Sequence, residues 1–149
     1  MPAQFVPIGG FRELWHLPPP CVMPKVLIAD DSRFQAQLLA SYLTPKGFEV
    51  VFAADALQAW TAALRSGPQL ILLDINMPGG TGLEVLKRLR ISTKTQHIPV
   101  IVVSGERNPD TESAVRSLGA VDFLHKPVEE EQLCAVVERV LHSDPHLSK

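Results

Sequence analysis

The sequence predicts an α/β fold built on a doubly wound, five-stranded parallel sheet with helices on both faces. Three observations lead there. Short apolar runs recur along the chain: VLIA at 26–29, EVVFA at 49–53, LILLD at 70–74, VIVVS at 100–104 and VDFLH at 121–125. Segments with helical spacing of apolar residues alternate with them. The connections are short, and strands that are apolar on both faces belong to sheets covered on both sides.

Residues 1–24, MPAQFVPIGGFRELWHLPPPCVMP, stand apart. The segment is rich in Pro and Gly and has no sustained period, and Pro18, Pro19 and Pro20 favour an extended polyproline conformation. Within it FRELWHL places Phe11, Leu14 and Trp15 at i, i+3, i+4, the spacing of a short helix that docks on a groove. The alternatives are a disordered tail or a start-site artefact with Met23 as the true first residue. The regular pattern that begins at Lys25 favours tail or artefact.

After VLIA, a helix is expected from Ser32 to Leu43 with Phe34, Leu38, Leu39, Tyr42 and Leu43 on its inner face, stopped by Pro45 and Gly47. EVVFA follows, then a helix capped by Asp55 and running to Arg65 with Leu57, Trp60 and Leu64 inward. Ser66, Gly67 and Pro68 break it before LILLD. NMPGGTG reads as a loop, and LEVLKRLR at 83–90 as a helix. Pro99 opens VIVVS. Pro109–Leu118 fits a helix with proline in its first turn, closed by Gly119. VDFLH is the fifth strand. The last helix, Glu129–His142, has Leu133, Val136, Val137, Val140 and Leu141 as its apolar stripe and an acidic start that suits the helix dipole. Right-handed crossovers narrow the topology to the flavodoxin-like order 2-1-3-4-5 with five helices. The expected organisation is a tail at 1–24, one domain at 25–142 and a short tail at 143–149.

Composition bounds the function. The 149 residues are 46% hydrophobic and 20% charged with a net charge of −2, enough for one domain with its own core. No global basic field of the nucleic-acid-binding kind is present. Cys21 and Cys134 form no CxxC or Cys/His cluster and read as reduced thiols. No apolar run reaches membrane-spanning length and no secretory signal is evident, so a cytoplasmic protein without membrane insertion is expected.

In such a sheet ligands bind beyond the carboxyl ends of the strands. The first strand ends at Asp30 and Asp31, the third at Asp74, the fourth at Ser104, and the fifth runs into Lys126. Taken singly each has a plain reading: a helix cap, a turn residue, a strand-end hydroxyl, a surface lysine. Taken together they gather three carboxylates, a hydroxyl and an ammonium at one edge. That donor set suits a hard divalent cation such as Mg2+, which takes oxygen ligands and keeps several waters. Asp31 and Asp74 are candidates for direct ligands, with Asp30 holding a coordinated water.

The ordered motifs ADDS at 29–32, DINMPGGTG at 74–82, VVSGE at 102–106 and FLHKP at 123–127 resemble the receiver domain of two-component response regulators. The resemblance covers 25–142 and leaves the first 24 residues outside. It implies a chain that takes a phosphoryl group from a phosphohistidine onto Asp74. By the same resemblance, Asp30 and Asp31 position Mg2+ with Asp74, and Asn76 adds its backbone carbonyl. Ser104 matches the switch hydroxyl, Lys126 the lysine that contacts the phosphoryl oxygens, and Phe123 the switch aromatic. Asn76 and Glu106 match positions flanking the path of the hydrolytic water, a pairing that resembles chemotaxis-type receivers with short-lived phosphoryl forms. The Lys126–Pro127 bond is expected to be cis, as in the family.

The resemblance further implies self-phosphorylation and autodephosphorylation without turnover of a separate small molecule. The implied partners are a sensor histidine kinase or histidine phosphotransfer protein, and a downstream protein bound through the surface of the fourth helix, fifth strand and fifth helix. No helix-turn-helix or other output segment is legible, so a stand-alone receiver without nucleic-acid binding is expected. A phosphorelay intermediate that passes its phosphoryl group to a histidine phosphotransfer protein is the alternative. A phosphatase of another Asp-nucleophile family would want a second Asp where Asn76 stands. A flavin or nucleotide binder would want a Gly-rich loop where DDS stands.

Overall fold

A computed structural model describes residues 23–77 and 80–143. Five strands alternate with five helices: β1 (Lys25–Ala29), α1 (Arg33–Leu43), β2 (Glu49–Ala53), α2 (Ala56–Ser66), β3 (Leu70–Leu73), α3 (Gly82–Ile91), β4 (Val100–Ser104), α4 (Pro109–Ser117), β5 (Asp122–His125) and α5 (Glu130–Ser143). The strands form one parallel sheet in the order β2-β1-β3-β4-β5. The doubly wound order read from the sequence is the order observed.

The first four helices each begin where a side chain can satisfy a free backbone N–H. Ser32, Asp55, Thr81 and Asn108 cap α1 to α4 and accept from Gln35, Gln58, Glu84 and Asp110, an arrangement worth roughly 1 kcal/mol per cap. Pro109 sits in the first turn of α4, where its missing N–H costs nothing. Gly67 ends α2 at φ 58°, in the left-handed region that a residue without Cβ enters freely.

Two apolar layers sandwich the sheet. Alternate strand residues Leu27, Ile71, Leu73, Val100, Val102 and Phe123 face α2, α3 and α4. Their neighbours Val26, Ile28, Leu70, Leu72, Ile101 and Val103 face α1 and α5. β3 is buried at every position, as a central strand must be. No helix among the described residues is long and apolar enough to cross a membrane.

The expected inner faces of α1 and α2 need correction. Phe34 is 72% exposed, Leu57 69% and Leu64 39%. Leu39 and Leu43 on α1 meet the sheet as expected, joined there by Ala36 and Ala40, while on α2 the buried positions are Ala59 and Ala63. Small residues let a helix backbone approach the strands closely, and that rotates the larger side chains onto the flank. The loop expected at NMPGGTG carries a short ladder, since Asn76–Met77 pairs antiparallel with Gly80–Thr81. FRELWHL, Cys21 and the tail beyond Ser143 lie outside the described residues.

Candidate functional site

Three residues of the site hang from the sheet by their main chain. Asp30 and Asp74 each follow the last residue of a strand, yet their N–H groups still donate to the adjacent strand, Asp30 to the Ala53 carbonyl and Asp74 to the Ala29 carbonyl, both at 2.9 Å. Lys126, the first residue past β5, donates in the same way to the Ser104 carbonyl at 2.9 Å. The ladder therefore continues one residue into the loops and carries its positional order to these three side chains.

The side chains converge. One carboxylate oxygen from each of Asp30, Asp31 and Asp74 lies within 4.8 Å of the others. Asp30 and Asp74 are buried, while Asp31 is exposed and opens the cluster to water. The Lys126 ammonium donates to Asp30 Oδ2 at 2.8 Å and to Asp74 Oδ2 at 3.4 Å. The remaining oxygens are turned to backbone: Asp30 Oδ1 accepts from the Ser32 N–H at 2.9 Å, and Asp74 Oδ1 from the Asn76 N–H at 3.3 Å.

The electrostatics follow from that crowding. Burial pushes the Asp74 carboxyl above its ordinary value, the Asp30 charge adds to the push, and Lys126 and the Asn76 N–H oppose it. Burial alone would lower the Lys126 ammonium, but its hydrogen bond to Asp30 and the two carboxylate charges outweigh that and hold it above its ordinary value. Three carboxylates face one ammonium, so the cluster keeps an excess of negative charge. Clustered hard oxygens of that kind fit a divalent cation.

Ser104 is fully buried at the end of β4, and its Oγ accepts from the Glu106 N–H at 3.1 Å. Phe123 is buried on β5 with its ring 4.9 Å from that of His125. Asn76 is exposed on the short ladder after Asp74. The Glu106 carboxylate accepts from the N–H groups of Arg107 at 3.0 Å and Asn108 at 3.4 Å, at the threshold of α4. The Lys126–Pro127 peptide is cis. The contacts thus unite Asp30, Asp31, Asp74 and Lys126, set Ser104 and Phe123 on the two strands beside them, and turn Glu106 toward its own loop.

Two contributors were not singled out from the sequence. Gly82 starts α3 against the backbone of the Asp74 loop, where a Cβ would stand 2.5 Å from the Asp74 carbonyl oxygen and 2.6 Å from Ile75 Cα. Its signal was faint: a glycine at the first helical position, where glycine is not the usual choice. Arg107 donates through Nη2 to the Lys126 carbonyl at 3.3 Å and so ties the β4–α4 loop to the residue after β5. No spacing rule marks that contact.

A family model described as the response regulator receiver domain matches residues 26–138. Among curated relatives, protein PilH of Pseudomonas aeruginosa is 33% identical over 119 residues, 80% of this chain and 98% of PilH. Response regulator PleD of Caulobacter vibrioides is 37% identical over 118 residues, which is 76% of this chain and 25% of PleD. Protein RcaC of Microchaete diplosiphon is 34% identical over 82% of this chain and 19% of its own length, so the chain spans a quarter or less of these two larger relatives. Among solved structures, the chemotaxis protein CheY4 of Vibrio cholerae superposes with a TM-score of 0.76 at 33% identity, covering 80% of this chain and 100% of that one. Fold, strand-end acidic cluster and these matches agree, and the chain belongs to the response regulator receiver domain family.

Proposed function

We propose that this receiver, read as residues 25–142, accepts a phosphoryl group on Asp74 and uses it to switch protein–protein contacts. The observation that carries the proposal is the bridge made by Lys126, whose single ammonium spans Asp30 and Asp74 at 2.8 and 3.4 Å. A cation fixed beside a buried carboxylate stands where negative charge grows when that carboxylate attacks phosphorus.

In the proposed step an Asp74 oxygen bonds to phosphorus as the bond to the donor's imidazole nitrogen breaks, and the imidazole, taking a proton from solvent, departs as the neutral ring. The transition state spreads charge over the equatorial oxygens, so positioning and electrostatics do most of the catalysis. Lys126 meets one of those oxygens. Ser104 accepts from Glu106 N–H through its oxygen, which leaves its hydroxyl proton able to donate to another. Asp30, Asp31, Asp74 and the Asn76 carbonyl are the candidate holders of Mg2+, which when bound supplies further positive charge against the phosphoryl oxygens.

The same Ser104 donation links chemistry to output. Drawing the β4 terminus toward a phosphoryl group changes the space beside Phe123 and shifts the packing of α4, β5 and α5, the surface offered to a downstream protein. A sensor histidine kinase or histidine phosphotransfer protein is the proposed donor. Asn76 and Glu106 are the proposed tuners of phosphoryl lifetime. The test is intact-mass measurement after incubation with acetyl phosphate and Mg2+. The wild type is expected to gain one phosphoryl group and Asp74→Asn none; undiminished labelling of Asp74→Asn would place the acceptor elsewhere.

A further inference from the structure

The structure gives the apolar segment FRELWHL a surface to meet. Leu57, Trp60 and Leu64 recur at i, i+3, i+7 on α2, with Leu57 and Leu64 exposed and Trp60 only partly buried. The Trp60 ring is held on one side by the Arg88 guanidinium from α3, 4.7 Å from its centroid. The result is a short apolar ridge along the outer flank of α2. Singly exposed leucines are ordinary; here two of them flank a partly buried Trp60 that packs against the core on its inner side.

The described chain begins beside one end of that ridge. The Pro24 carbonyl accepts from the Glu49 N–H at 2.9 Å, and the Lys25 ammonium donates to the Ser66 carbonyl, the last residue of α2, at 3.0 Å. The described chain therefore begins beside the C-terminal turn of α2, the helix that carries Leu64. Residues 18–22 lie between FRELWHL and that point and include Pro18, Pro19 and Pro20. Near 3.1 Å per residue they reach roughly 15 Å, whereas the ridge from Leu64 to Leu57 runs about 10 Å.

We infer that residues 11–17 dock in cis on this ridge, with Phe11, Leu14 and Trp15 covering Leu57, Trp60 and Leu64. Two short apolar faces, neither able to bury itself, lie within one tether length of each other. The tether sets a millimolar effective concentration, which favours the chain's own segment over that of a second copy at micromolar protein. The proposal is independent of phosphoryl chemistry and leaves the α4–β5–α5 surface uncovered.

Hydrogen–deuterium exchange of the full chain at two protein concentrations tests it, using the wild type, Trp15→Asp and Leu57→Asp. Leu57 lies outside the core, so Leu57→Asp should lower the urea midpoint no further than Trp15→Asp does, both losing only the docked segment. Docking predicts exchange in residues 11–17 slowed roughly tenfold or more relative to either variant. It also predicts that Trp15→Asp deprotects α2 around Leu57, with no dependence on protein concentration. Free exchange of residues 11–17 in the wild type would overturn the inference and leave the ridge to a separate partner. Protection that grows with concentration would overturn the in-cis assignment in favour of a second copy. Protection that survives Leu57→Asp would place the segment on another surface.

Discussion

Replacing Asp74 by Asn is expected to stabilise the metal-free protein at pH 7. At an effective dielectric constant near 20, an Asp30 charge within the cluster repels an ionised Asp74 by about 3 kcal/mol, and Lys126 at its hydrogen-bonding distance attracts it by about 5 kcal/mol. Asp31 is exposed, so its repulsion is reduced to roughly 1 kcal/mol by water-like screening. These pairwise contributions nearly cancel. What remains is the cost of holding a charge on a buried side chain, which agrees with burial being the main cause of the raised Asp74 carboxyl. Asn keeps the shape and sheds the charge, so a gain of about 1 kcal/mol is expected, or about 3 °C in Tm for a domain of this size. The sign with pH follows. Because the folded-state carboxyl titrates above its ordinary value of 3.8, the wild type loses stability as pH rises from there through the raised folded value, and the Asn variant does not. The two should match below pH 3.8, diverge over that window and stay apart above it. Urea titrations at pH 3.5, 5 and 7 without divalent cations would show it. Adding Mg2+ at ten times its dissociation constant should return about 1.4 kcal/mol to the wild type and less to the variant. A variant less stable than wild type at pH 7, or a difference that ignores pH, would refute the reasoning.

Other substitutions divide the site by role. Lys126→Ala should slow labelling by acetyl phosphate by about 100-fold or more, the usual scale for losing one preorganised donor. Stabilisation by Mg2+, followed by thermal melting, should persist in that variant because Lys126 is not a candidate ligand. Gly82→Ala forces a Cβ against the Asp74 carbonyl, so a loss of roughly 1–3 kcal/mol in urea unfolding is expected, with slower labelling as the acceptor loop shifts. Glu106→Ala removes acceptors for the Arg107 and Asn108 N–H groups; it should lower stability by about 1 kcal/mol, as loss of a capping group does, and an unchanged phosphoryl-decay time course would count against the proposed lifetime role.

The sheet order and the acidic edge were legible because both rest on patterns of period and position. Apolar runs such as LILL specify a central strand, and a parallel sheet sends all its carboxyl ends to one edge, so Asp30, Asp74, Ser104 and Lys126 had to gather there. Helix rotation was less legible. At Leu57 and Leu64 the periodicity admits several phases, and the choice was made by Ala59 and Ala63 approaching the sheet, a tertiary preference for close backbone contact that hydrophobicity ranks poorly. Gly82 and Arg107 were hidden for a related reason. Each acts on a backbone atom of another segment, and no side-chain motif encodes which carbonyl will be near.

The way the site is suspended bears on why such a cluster can serve chemistry at all. Asp30, Asp74 and Lys126 are loop residues by position, yet each N–H is still bonded to a sheet strand. Letting like charges separate would require breaking backbone bonds that the sheet holds cooperatively, so Asp30 and Asp74 cannot relax apart cheaply and their repulsion persists in the folded state. Asp31 differs: it is exposed, and its side chain can adjust. The geometry therefore combines two fixed carboxylates, a fixed ammonium bridging them and one adaptable carboxylate at the mouth. A rigid pair poised beside a cation needs little reorganisation when charge moves onto a phosphoryl group. If the Asp30 and Asp74 main-chain bonds matter in this way, their amides should rank among the slowest-exchanging outside the strands, protected nearly to the level of global unfolding. Fast exchange at both would mean that the cluster relaxes locally and that its strain is not available to chemistry.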